Sequence, residues 1–89
     1  MDSKDKERRE AIREFLQTLL ARKGDEQPFS DGASLLLSGR LQSVDAVSLA
    51  VFLEEKFGVD FAEMGFDQEK MDTVNAISAL IEESSTAGR

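Results

Sequence analysis

The feature that most narrows what this chain can fold into is helical spacing of apolar residues in three separate segments. In the first, Ile12, Phe15, Leu16, Leu19 and Leu20 recur at i, i+3, i+4, i+7 and i+8, which places them on one face of a helix from about Lys4 to Arg22. The other positions there are mostly Lys, Arg, Glu and Gln, good helix formers that keep the outer face wet. Lys23 and Gly24 end the segment, since a basic residue suits the negative helix end and glycine a left-handed cap. The second segment runs from Ser43 to about Phe57, where Gly58 stops it. The third runs from about Thr73 to Glu83, with Val74, Ile77, Leu80 and Ile81 as its stripe and Asp72 or Thr73 as its N-cap.

The connections are uneven. Asp25 to Leu41 is long and holds Pro28, Gly32 and Gly39. Connections above about 12 to 15 residues are uncommon unless functional or partly structured. Phe29, Leu35, Leu36 and Leu37 are expected to anchor this one, through a short helical turn around Ala33 to Leu37. Val59-Asp60-Phe61 reads as a short extended link and Met64-Gly65-Phe66 as a turn. Asp67 caps a short helix ending at Met71. The last residues, 84–89, are small and polar and are expected to form a disordered tail. Three substantial helices and a short one make an all-α bundle, a single domain over 1–89 ordered from about 4 to 83.

Composition excludes several function classes. At 89 residues the chain buries only about 60% of its unfolded surface, enough for one modest core and too little for an elaborate catalytic cleft. Eleven basic against 18 acidic residues give a net charge of -7, the wrong sign for neutralising nucleic-acid phosphates. It suits partners with basic patches. Neither cysteine nor histidine is present, so disulfides, thiolate metal sites and Ser-His-Asp or Cys-His catalysis are excluded. Asp60 and Gly65 match loop positions 1 and 6 of a calcium-binding EF-hand. Ala62, Met64 and Met71 then stand where oxygen ligands are needed, and that reading fails. No apolar run approaches the roughly 20 residues of a membrane span. The charged N-terminus has no apolar core of a secretory signal, and a cytoplasmic protein with no membrane association is expected.

The second segment is the one with chemistry to offer. Projected at about 100° per residue, Ala46, Leu49, Ala50, Leu53 and Phe57 form the core-facing stripe. Val44, Val47 and Val51 fall roughly opposite, beside Ser48 and Glu55. A helix in so small a domain seldom needs two apolar stripes, and three valines in line suggest a docking surface or shelter for a bound chain. Ser43 stands at the helix start. By position alone a serine there is an N-cap, its hydroxyl accepting from a free amide of the first turn.

Gly39, Gln42-Ser43-Val44, Asp45, Val47, Leu49 and Leu53-Glu54-Glu55-Lys56-Phe57 together resemble the acyl carrier protein family, including its peptidyl and other thiolation-domain relatives. That family's signature is Gly-x-x-Asp-Ser-Leu opening a helix, followed by an acidic, apolar-periodic run ending in Glu-Glu-x-Phe. The resemblance covers about Phe29 to Ile81, and it departs at Gln42, where the family has aspartate, and at Val44, where it has leucine. It implies a four-helix bundle with a long first loop and a short third helix. Ser43 would carry 4'-phosphopantetheine from coenzyme A, whose thiol holds acyl or aminoacyl groups as thioesters for fatty acid, polyketide or related specialised biosynthesis. The carrier would be a monomer with no catalysis of its own. Its partners would be a phosphopantetheinyl transferase and the loading ligases, synthases and transferases that present basic patches. Val44, Val47, Val51, Glu54 and Glu55 would be the docking residues. The rival is a helical adapter, unmodified because Gln42 spoils transferase recognition, that binds a protein through the same valines.

Overall fold

Each of the three periodic segments buries its stripe. The computed structural model describes residues 3–87, and among these it contains four α-helices and no strand. They are α1 (Ser3–Ala21), α2 (Ser43–Phe57), α3 (Phe61–Met64) and α4 (Val74–Ala87), with a 3-10 turn at Gln68–Met71 before the last. Ile12, Leu16, Leu19 and Leu20 of α1 meet Leu49, Ala50 and Leu53 of α2 and Val74, Ile77, Leu80 and Ile81 of α4 in one core. Phe15 sits at its edge, half-buried, with its ring stacked on that of Phe52 at 4.2 Å between centroids. Phe57 is likewise half-buried and meets Phe52 edge-on. The fold is all-α, as the periodicity predicts.

The helix ends follow local chemistry. Gly24 and Gly58 both adopt positive φ, 83° and 69°, a conformation open to glycine because it lacks a Cβ. At the end of α2 the Gly58 amide donates to Glu54 O and the Val59 amide to Leu53 O, closing the last turn. Thr73 caps α4, its hydroxyl accepting from the Ala76 amide at 2.9 Å. Asp67 caps the 3-10 turn through the Glu69 amide, as expected. α4 continues past Glu83 to Ala87, so residues 84–87 of the expected tail are helical. Positions 88 and 89 lie outside the described residues. Between Asp60 and Gly65 the chain makes one helical turn, α3, where a link and a turn were expected. The Asp60 carboxylate accepts from the Ala62 and Glu63 amides and nucleates it. Four residues are too few to show a period.

The long connection is held by side chains from elsewhere. Asp72, freed from capping α4, is buried and turned onto the loop. Its Oδ1 accepts from the amides of Leu36 at 2.7 Å and Leu37 at 2.9 Å, and its carbonyl accepts from Leu35 N at 2.9 Å. Burial raises the Asp72 pKa, but the hydrogen bonds from the loop, that of the Leu37 amide foremost, together outweigh it and hold the group below its ordinary 3.8. The segment at 33–37 is therefore an irregular turn clasped by a carboxylate rather than a helical turn. Leu35 and Phe29 are buried as expected, whereas Leu37 is 76% exposed, because the clasp fixes its backbone with the side chain outward. In the middle of the loop Asp31 receives Arg13 at 2.6 Å and Arg9 at 3.0 Å from α1, and its carbonyl accepts the Asn75 amide of α4.

Replacing Asp72 by alanine would leave the two amides of Leu36 and Leu37 without an acceptor. A destabilisation of about 1.5–3 kcal/mol is expected, the range for hydrogen bonds to a charged group. Urea unfolding followed by circular dichroism measures it, and a change near zero would show that water replaces the clasp.

Candidate functional site

The candidate site lies where the long connection enters α2. Gly39 takes φ of 87°, and a Cβ there would find nothing within 4 Å. The need for glycine is thus one of backbone conformation rather than space. The Leu41 amide donates to Leu35 O at 2.7 Å, and the Leu41 side chain is buried. With Leu41 anchored, Gln42 is extended at φ -112° and ψ 175°, and the helix starts at Ser43.

That start differs from the expected one. Gln42 is the N-cap residue, and Ser43 is the first residue of the helix proper. The amides of Asp45 and Ala46 both donate to Gln42 O, at 2.9 and 3.1 Å. The Gln42 amide itself donates to Asp45 Oδ2 at 2.8 Å. Ser43 is exposed, and among the described residues its hydroxyl has no hydrogen-bond partner. The amides of Ser43 and Val44 are likewise unmatched, as the first donors of a helix are. Ser43 therefore leaves capping to its neighbours and faces water.

Asp45 stands apart from the other acidic residues on and just after α2, Glu54, Glu55 and Asp60. It is buried, whereas the other three are exposed. Its Oδ2 receives the Lys23 ammonium at 2.6 Å. Burial raises the carboxyl pKa, but Lys23 and the Gln42 amide outweigh it and hold the group below its ordinary 3.8. Two residues on from Lys23, Asp25 binds the Arg40 guanidinium through both oxygens, Nε at 2.9 Å and the second nitrogen at 3.0 Å. Arg40 also donates to Gln27 O at 2.9 Å. Neither pair was foreseen. The one signal was that alternating charges, Lys23 and Asp25, flank the glycine that ends α1.

The outward stripe of α2 is open, as expected. Val44 is 67% exposed, Val47 56% and Val51 46%. At about 100° per residue, Ser43, Glu54, Val47, Val51, Val44 and Glu55 follow one another around a single outer arc of the helix. The structure so brings together all the residues singled out on α2. Ser48 lies at the end of the arc, its hydroxyl donating to Val44 O within the helix. Among the described residues no helix is long and apolar enough to cross a membrane.

Comparison with models of known families, with curated protein sequences and with solved structures finds no match to this chain.

Two outcomes follow from the geometry. Because Ser43 does no capping, Ser43→Ala should change stability by less than about 0.5 kcal/mol, against about 1 kcal/mol for loss of a true N-cap serine; urea unfolding distinguishes them. The second concerns acid. A carboxylate whose folded pKa lies below 3.8 contributes its stability above that value and loses it as pH falls through the lower folded one. The parent should therefore exceed Asp45→Asn in stability at neutral pH, and the gap should narrow below 3.8. A gap that stays constant with pH would show that Asp45 does not act through its charge.

Proposed function

We propose that this chain is a carrier protein of the acyl carrier type, with Ser43 as the attachment point for 4'-phosphopantetheine. The observation that carries the reading is an exposed serine hydroxyl at the first position of α2, without a structural task, beside an exposed apolar stripe on the same helix. The all-α order agrees with that of such a carrier: a long helix, a long loop, the modified helix, a small helix and a closing helix.

The residues fit the group. A phosphodiester on Ser43 Oγ would stand at the positive end of α2, near the unmatched amides of Ser43 and Val44. In the modification, Ser43 Oγ forms a P–O bond to the pantetheine-bearing phosphorus of coenzyme A and displaces adenosine bisphosphate. The hydroxyl proton passes to a base of the transferase. The attached arm supplies a terminal thiol, on which acyl or aminoacyl groups ride as thioesters. Val44, Val47 and Val51 offer the apolar contact to partner enzymes, while Glu54 and Glu55 on the same arc meet their basic patches.

A second reading has its own observation. Gln42 occupies the N-cap next to Ser43, where the carrier family has a carboxylate, and its backbone is tied to Asp45. On this reading the chain is an unmodified adapter that binds a protein through the three valines.

Intact mass decides between them. After incubation with coenzyme A, magnesium and a broad-specificity phosphopantetheinyl transferase, the parent should gain one phosphopantetheine and Ser43→Ala none. Addition to both proteins would place the site elsewhere. Addition to neither, under conditions that convert a known carrier fully, would reject the carrier reading, unless Gln42→Asp restores it and so identifies Gln42 as the obstacle.

A further inference from the structure

The turn that ends α1 reaches both sides of Ser43. Lys23, before Gly24, pairs with Asp45 two residues after the serine. Asp25, after Gly24, pairs with Arg40 three residues before it. The two pairs have opposite polarity, positive to negative in one and negative to positive in the other. Gly24 at φ 83° separates the two anchoring residues. The Lys23 amide donates to Leu20 O at 2.9 Å and the Asp25 amide to the same oxygen at 2.9 Å. The base of both contacts is therefore fixed to the rigid end of α1.

The contacts are partly shielded from solvent. The side chains of Lys23 and Asp45 are 30% and 12% exposed, and those of Arg40 and Asp25 are 24% and 25%. Arg40 is held further by Gln27 O, and its guanidinium lies over the Phe29 ring at 5.8 Å. Asp45 is held further by the Gln42 amide. Between the two grips the chain has Gly39 at positive φ just outside, Leu41 in the core and Gln42 extended. Only Ser43 and Val44 are left outward and unmatched.

We infer that Lys23, Asp25, Arg40 and Asp45 form a double ionic clamp whose task is to position Ser43 for modification. The inference rests on the carrier reading and deepens it. None of the four touches the reacting atoms, so they are positioning residues. Their effect is to fix the backbone on both sides of the serine, so that the hydroxyl presents one geometry to the transferase. Small misplacements of a reacting group lower rates steeply. Opposed polarity gives the clamp its register, because sliding the segment by a few residues would bring Lys23 to Arg40 or Asp25 to Asp45.

The test compares Lys23→Met with Arg40→Met, combined and singly, against the parent. Arg9→Met serves as the control, since it breaks a pair with Asp31 in the middle of the loop and touches neither clamp pair nor Phe29. All are assayed below their unfolding temperatures. The first readout is kcat/KM for phosphopantetheine addition by the transferase. The second is hydrogen exchange at the bonded amides of Gln42, Asp45 and Ala46, read by nuclear magnetic resonance on the unmodified proteins. The double variant should lose roughly tenfold or more in kcat/KM, with exchange at the Gln42, Asp45 and Ala46 amides accelerated by at least about tenfold. Arg9→Met should change neither, and Lys23→Arg should retain the parent's values. If the double variant does not fold, Lys23→Met alone carries the comparison. Parent-like modification by a folded clamp variant would overturn the positioning role, as would an equal loss in Arg9→Met. Unchanged exchange would overturn the clamp itself. A parent that accepts no phosphopantetheine would reject the carrier reading, and with it the positioning role, while exchange still decides whether the clamp exists.

Discussion

The carboxylate of Asp72 is the contact on which the rest of this architecture depends. An all-α chain has no sheet to satisfy the backbone of a long connection, and buried amides without acceptors are costly. Here the connection passes across the end of α4, and Asp72 takes up the amides of Leu36 and Leu37 there. Leu35 is thereby fixed in the core, and Leu41 is bonded to Leu35. The start of α2 follows from where Leu41 lies. A residue near the far end of the chain thus sets the position of the helix that carries the candidate site.

Charged side chains extend the same solution along the loop. Arg13 and Arg9 hold Asp31, Arg13 also meets Phe29 O at 2.7 Å, and the Phe29 ring lies under the guanidinium of Arg13 at 4.7 Å. Arg40 closes on Asp25. Exposed ion pairs contribute little to stability, and these half-shielded ones are better read as fixing conformation. They hold the connection against α1 at Phe29 and Asp31, and the outer face of α2 keeps its valines open.

What could be read from the sequence follows from the range of the forces involved. Helical periods are local, and the buried stripes of α1, α2 and α4 match the expected residues apart from the half-buried Phe15 and Phe57. Glycine stops and the Asp67 cap are local as well. The Asp72 clasp joins residues 35 and 36 positions apart, and no pattern in one sequence marks such a pairing. Leu37 looked like an anchor for the same reason: its neighbours are apolar, but the clasp turns it outward. For the site, the outward arc of Ser43, Val44, Val47, Val51, Glu54 and Glu55 was legible from helical spacing. The role of Asp45 was not, since an acid in a first helical turn normally faces water, and here Lys23, from another element, holds it together with the Gln42 amide.

The pairings of Asp45 with Lys23 and of Arg40 with Asp25 also set the field at Ser43. Two unit charges about 4 Å apart interact by about 1 kcal/mol in water and several-fold more near a protein surface. A bare carboxylate two residues beyond the serine would oppose an incoming phosphate, and a bare guanidinium three residues before it would attract any anion without discrimination. Each is instead neutralised by a partner from the end of α1, Lys23 in one case and Asp25 in the other. What remains at the hydroxyl is the dipole of α2, which acts over the first turn and favours negative charge there. In the proposed carrier the same four side chains that fix the backbone around Ser43 would therefore leave the helix end as the main electrostatic feature met by a phosphate on its oxygen. Glu54, Glu55 and the valines lie farther along the arc, so attraction for a basic partner and affinity for the phosphate would act at different places on one helix.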